Sequence, residues 1–118
     1  MAKAASTSLC ALQAALETAA SPERAGQLSW FFKTGPGQYG EHDRFRGIAM
    51  PGLRQLIKPY RQLPIKDLDA LVRSPWHEDR MAAFLIGLRR FEKARAGQDA
   101  REQIYRFFIR NLRFMNNW

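Results

Sequence analysis

Residues 74–94 read SPWHEDRMAAFLIGLRRFEKA, and this stretch decides the fold. Ser at an N-cap followed by Pro at the first helical position is a start signal, because the proline lacks only an N–H that the first turn leaves unpaired anyway. Met81, Phe84, Leu85, Leu88 and Phe91 then recur at helical spacing and make one apolar stripe. The pattern predicts a helix to about Ala94, closed by Gly97.

Working toward the N-terminus, the same grammar recurs. Pro64 opens a short helix carrying Leu68, Leu71 and Val72. A third helix is predicted from Pro51 to about Arg61, with Leu53, Leu56 and Ile57 inward and an irregular last turn at Pro59. Residues 34–47, TGPGQYGEHDRFRG, hold four glycines and a proline and predict a loop. Ser21-Pro22 starts a helix to about Lys33 that buries Leu28, Phe31 and Phe32, and residues 6–20 form a first helix on Leu9, Leu12 and Leu16. Toward the C-terminus, Asp99 is the candidate N-cap of a sixth helix through about Arg113, with Ile104, Phe108 and Leu112 as its seam. Nothing alternates long enough to suggest a sheet. At an offset of 53 residues, Ser21-Pro22 and Leu28, Phe31, Phe32 match Ser74-Pro75 and Met81, Phe84, Leu85, a weak internal repeat. The expected fold is all-α, about six helices in HEAT-like antiparallel repeats, an α-solenoid with one curved face open to a partner.

The 118 residues, 46% hydrophobic, suffice for one core, so residues 1–118 are expected to form a single domain. Nineteen Lys and Arg oppose eleven Asp and Glu, a net charge of +8, and fourteen of the nineteen are arginines. That balance favours a polyanionic partner, since guanidinium forks match phosphate oxygens two at a time. Arg54, Lys58 and Arg61 on the third helix, and Arg106, Arg110 and Arg113 on the sixth, each follow i, i+4, i+7 and project from one side of their helix. Two such rows suit phosphate backbones. No recognition helix or RNP-like aromatic motif argues for sequence-specific readout.

Other constellations carry less. Glu41-His42-Asp43 and His77-Glu78-Asp79 gather potential ligands without the i, i+3 or i+4 recurrence a metal site needs, so no metal is expected. His77, Glu78 and Asp79 are expected to decorate the first turn of the fifth helix, where acids favour the dipole. GPGQYG lacks the Gly-Lys-Ser/Thr of a nucleotide loop, and no cofactor is implied. Cys10 stands alone and no segment approaches a membrane span, so a soluble, cytoplasmic protein without a membrane partner is expected.

Three stretches together resemble one family. YGEHDRFRGIAMPGLRQLIKPYRQLP (residues 39–64), SPWHEDRMAAFLIGLRRFEKA and the closing FMNNW (residues 114–118) match in order and spacing the alkylpurine DNA glycosylases of the AlkD type, over about residues 20–118. The resemblance implies a HEAT-like helical solenoid holding alkylated duplex DNA on its concave face and excising cationic N3- or N7-alkylpurines. It makes Trp118 the family's active-site tryptophan, the start of a motif continued as Trp-Asp-x-Val-Asp. The catalytic aspartate would follow four residues on, so residues 1–118 are expected to be the N-terminal portion of a longer repair protein. A tyrosine near the lesion aligns near Phe31, which keeps the aromatic surface without the hydroxyl. The alternative is a non-catalytic HEAT-type scaffold that binds nucleic acid or an acidic protein.

Overall fold

A computed structural model of the chain describes residues 8–31, 36, 43–94 and 99–115. Among these every regular element is helical. Six α-helices follow in order, α1 (Leu9–Ala19), α2 (Pro22–Phe31), α3 (Met50–Leu56), α4 (Ile65–Leu71), α5 (His77–Lys93) and α6 (Asp99–Arg110). Two 3-10 turns, Lys58–Tyr60 and Leu112–Phe114, follow α3 and α6. The all-α expectation holds, and the arrangement is compatible with a stack of helical repeats. Most of the predicted loop over residues 34–47 lies outside the described residues; Pro36 is in a turn and residues 43–47 are free of helix.

Local chemistry sets the boundaries. The Ser8 hydroxyl caps α1 by accepting from the Ala11 N–H at 3.1 Å, and Ser21 caps α2 by accepting from the Arg24 N–H at 3.3 Å. Pro59, which cannot donate to a helical ladder, falls where α3 has given way to the 3-10 turn. The third helix is therefore shorter than its predicted span to Arg61. The sixth also ends early, at Arg110, because the Asn111 side chain turns back to donate to the Phe107 carbonyl at 2.9 Å. Asp99 is the first residue of α6; the residue before it lies outside the described set.

The core gathers on α5, which packs against α1, α3, α4 and α6. Leu12 and Leu16 of α1, Leu53 and Ile57 beside α3, and Leu68 and Leu71 of α4 are all buried. Each contributes on the order of 2 kcal/mol through burial. Because α5 has neighbours on several sides, its buried set beyond the first turn is Ala82, Ala83, Phe84, Ile86 and Gly87, and the predicted stripe is only partly right. Phe84 is buried, while Leu88 is 46% exposed. Gly87 marks the closest approach to α6: a Cβ there would meet the Phe107 ring at 3.1 Å. On α6 the seam runs through Ile104 and Phe107, with Phe108 half-buried and the expected Leu112 exposed.

The largest departure from the sequence expectation is at the start of α5. His77, Glu78, Asp79 and Arg80 are all buried, so they do not decorate a solvated first turn. Glu78 Oε1 accepts from the Arg46 N–H at 2.7 Å, and its Oε2 accepts from the N–H groups of Gly47 and Ile48 at 3.0 and 3.3 Å. Arg46 grips Asp79 with two bonds of 2.8 and 3.2 Å and lies over the Trp76 ring. Asp43 accepts from Arg80 at 2.7 Å and faces His77 Nδ1 at 3.3 Å, and the His77 ring stacks on Phe45. The Arg44 carbonyl accepts from the His77 N–H at 2.7 Å, part of an isolated parallel bridge between Arg44 and Trp76. That bridge holds Trp76 extended, so α5 begins at His77 and not at Pro75. Ser74 instead donates its hydroxyl to Asp79 at 2.8 Å.

Gly47 completes the latch, with φ at +89°. The Arg46 carbonyl accepts from the Ser21 N–H at 2.8 Å, drawing the backbone against the start of α2. A Cβ on Gly47 would fall 2.1 Å from the Ser21 carbonyl oxygen and 2.7 Å from the Ala25 nitrogen. Both strain and backbone collision therefore exclude a side chain. Gly47→Ala is expected to lower the unfolding free energy by more than about 2 kcal/mol. Glu78→Gln, which turns an amide N–H₂ toward backbone donors, is expected to cost about 2–4 kcal/mol. Urea titration followed by circular dichroism measures both, and an unchanged midpoint for either would refute the latch.

Candidate functional site

The first basic row stays together although α3 ends at Leu56, with Lys58 in the 3-10 turn and Arg61 just after it. Arg54 and Lys58 are exposed and Arg61 is half-buried, and all three line a groove of about 410 Å³ between the α3 region and α5. Helix α5 supplies the opposite wall. Leu85 and Leu88 give an apolar floor, and Arg89 and Glu92 stand at the rim. An adjoining hollow of about 280 Å³ is lined by Arg61 and Arg89 again, with Arg90 and Lys93. A continuous strip of cations thus runs along α3 and the turn after it on one side and α5 on the other.

The strip is poorly neutralised. Among the described residues Arg54, Lys58, Arg61 and Lys93 have no carboxylate within ion-pair distance, and Arg89 has only Glu92, at 4.0 Å. Arg90 is different, because its guanidinium donates to the Leu63 carbonyl and so ties α5 to the turn before α4. Burial pushes its pKa below the usual arginine range. Cations with low-dielectric walls and few counter-charges concentrate a positive field.

The second row does not line this groove. Arg106 is bonded to Glu102 at 3.0 Å, and Arg110 makes a two-pronged pair with Asp69 at 2.6 and 3.1 Å. Arg113 lies over the Phe114 ring, which Arg73 also approaches. Phe31 ends α2, but its side chain and all of Trp118 lie outside the described residues. Sequence reasoning missed Arg89, Arg90 and Lys93. Their signal was present in the LRRFEK run, yet only the packing of α5 beside α3 joins them to Arg54 and Lys58.

Two further features bear on chemistry. An apolar hollow of about 450 Å³ lies between α2, α3 and α5, walled by Leu28, Phe45, Met50, Leu53 and Met81. The buried carboxylates Asp43, Glu78 and Asp79 are all committed to the latch, and no group of three metal-ligating side chains occurs among the described residues. No helix of the described residues is long and apolar enough to cross a membrane.

A family model described as DNA alkylation repair enzyme matches residues 12–118. No curated protein and no solved structure matches the chain.

The Asp69 contacts carry a pH signature. Partial burial pushes its carboxyl up, but the bonds from Arg110 and Asn111 and the nearby Arg73 charge outweigh this, so its pKa is held below the ordinary 3.8. A depressed folded-state pKa contributes stability that is present above the unfolded value and is lost as pH falls through the folded one. Asp69→Asn is therefore expected to be less stable than the parent at neutral pH, with the gap closing as pH drops below the carboxylate range. Melting curves from pH 7 to pH 2 test this, and a gap independent of pH would assign the contact no electrostatic role.

Proposed function

The chain belongs to the DNA alkylation repair enzyme family, and from that premise we propose that it is the DNA-gripping N-terminal portion of a glycosylase for cationic N3- and N7-alkylpurines. The observation that carries the reading is the cationic strip of Arg54, Lys58 and Arg61, on α3 and the turn that follows it, facing Arg89 and Lys93 on α5. Phosphate contacts from such a strip position a duplex without reading its sequence. The partner is duplex DNA bearing an alkylated purine. The apolar floor of Leu85 and Leu88 suits sugar edges between the phosphates.

The chemistry fits that partner. N3- or N7-alkylation makes a purine cationic, so cleavage of its N-glycosidic bond returns the bonding electrons to the base, which leaves neutral. The deoxyribose is left as an oxocarbenium-like cation, and water adds at C1′ with loss of a proton. A fixed carboxylate beside the developing cation supplies the main stabilisation, an effect whose loss commonly costs about 10²–10³ in rate. The family resemblance assigns that carboxylate four residues beyond Trp118 and makes Trp118 an aromatic wall. The described carboxylates of the latch are engaged in holding the fold. Grip on the duplex is thus assigned to the cationic strip. Of the α6 row, Arg113 is the side chain freest to add a phosphate contact, since Arg106 and Arg110 are held by acids.

The double variant Lys58→Ala/Arg61→Ala should weaken duplex binding at least tenfold near 50 mM salt. It should also reduce the log–log salt slope by about 1.8, two phosphates at about 0.9 each. Fluorescence anisotropy on an undamaged duplex reads both. Unchanged affinity and slope would remove the groove from the DNA contact. On a methylated duplex, residues 1–118 are expected to bind and to release no purine above background, and release at an enzymatic rate would place the catalytic charge inside them.

A further inference from the structure

One carboxylate sits among the cations of the groove. Glu92 shares its lining with Arg54, Lys58, Arg61 and Arg89, and among the described residues its only ion-pair partner is Arg89, one turn earlier on α5. The two side chains are 56% and 49% exposed and 4.0 Å apart, a loose pair open to water and to exchange. Arg89 is also one of the two residues that line both the groove and the adjoining hollow. Among the described residues the one acid lining the groove thus faces a cation that the groove shares with the adjoining hollow. Glu92 has no other polar role among the described residues that would explain it as a support of the fold.

A carboxylate and a phosphate accept from a guanidinium in the same geometry and with the same sign of charge. We propose that Glu92 is a built-in competitor for phosphate: it occupies Arg89 in the free protein and must yield it when a nucleic-acid backbone enters the groove. Grip on any backbone is thereby kept looser than the cations alone would make it, which favours release of undamaged duplex. This rests on the reading of the groove as the DNA face. It goes beyond that reading by naming a residue whose loss tightens binding.

The test uses residues 1–118 and an undamaged duplex, with affinity measured by anisotropy across salt concentrations. Glu92→Gln should bind about threefold to tenfold tighter near 50 mM salt, with a slope steeper by about 0.9, the value of one added phosphate contact. In an Arg89→Ala background the same change should have little effect, because the competition has lost its object. Glu17→Gln removes the same charge from the exposed surface of α1, outside the groove, and should leave affinity unchanged. Equal tightening by both glutamine variants would reduce the effect to net charge and overturn the proposal. Unchanged binding by Glu92→Gln, with Lys58→Ala/Arg61→Ala still weakening it, would overturn the proposal and leave the groove standing. If neither alters binding, the groove reading fails and the proposal with it.

Discussion

The structure depends on one buried carboxylate. Glu78 is 2% exposed, and its two oxygens accept three consecutive backbone N–H groups, those of Arg46, Gly47 and Ile48. An ionised carboxylate without partners would be driven from such a site by several kcal/mol. Three converging N–H dipoles and the N-terminal end of α5 make the position tenable. The same bonds satisfy a run of backbone that belongs to neither helix nor sheet. Carboxylate and backbone are each buried on the other's account, so neither can be removed alone.

From that clasp the rest is positioned. The clasped run ends at Ile48, and α3 begins two residues later at Met50, so the latch fixes where α3 starts relative to α5. The Arg46 carbonyl holds the first turn of α2 through Ser21, and Gly47 lets the backbone come that close. At the other end of α5, Arg90 is bonded to the Leu63 carbonyl, which fixes the turn after Tyr60. The two walls of the cationic groove are therefore joined near both ends. Rigid placement of the walls would lower the ordering cost of binding, because the backbone that carries the cations need not be ordered again when a partner arrives.

Much of the helical order was legible in the sequence, for local reasons. Ser21-Pro22, Pro59 and the periodicity of Leu12 and Leu16 act within one or two turns, and each forecast the element found. Ser74-Pro75 failed because its cap was overridden from 30 residues away, by the bridge between Arg44 and Trp76. His77, Glu78 and Asp79 look solvated in a linear reading, since what buries them, Asp43 to Ile48, lies in a different segment. The α5 stripe was drawn through large residues, whereas alanines and Gly87 line the closest contacts of the most surrounded helix. In the candidate site the Arg54, Lys58 and Arg61 row was readable from its local spacing, and it stays together although α3 gives way to a 3-10 turn after Leu56. Its continuation through Arg89 and Lys93 depends on which helices pack side by side, and so does the pairing of Arg110 with Asp69, whereas Arg106 meets Glu102 one turn earlier on α6 itself.

The central claim is that the cleft between α3 and α5 is the face that receives nucleic acid. Backbone amide chemical-shift mapping during titration of residues 1–118 with a short duplex tests it most directly. Perturbations are expected to cluster on Arg54–Arg61 and Arg89–Lys93 and to fade as salt is raised, with Glu102–Arg110 little affected. Perturbations centred on α6, or none at concentrations where anisotropy reports binding, would contradict it.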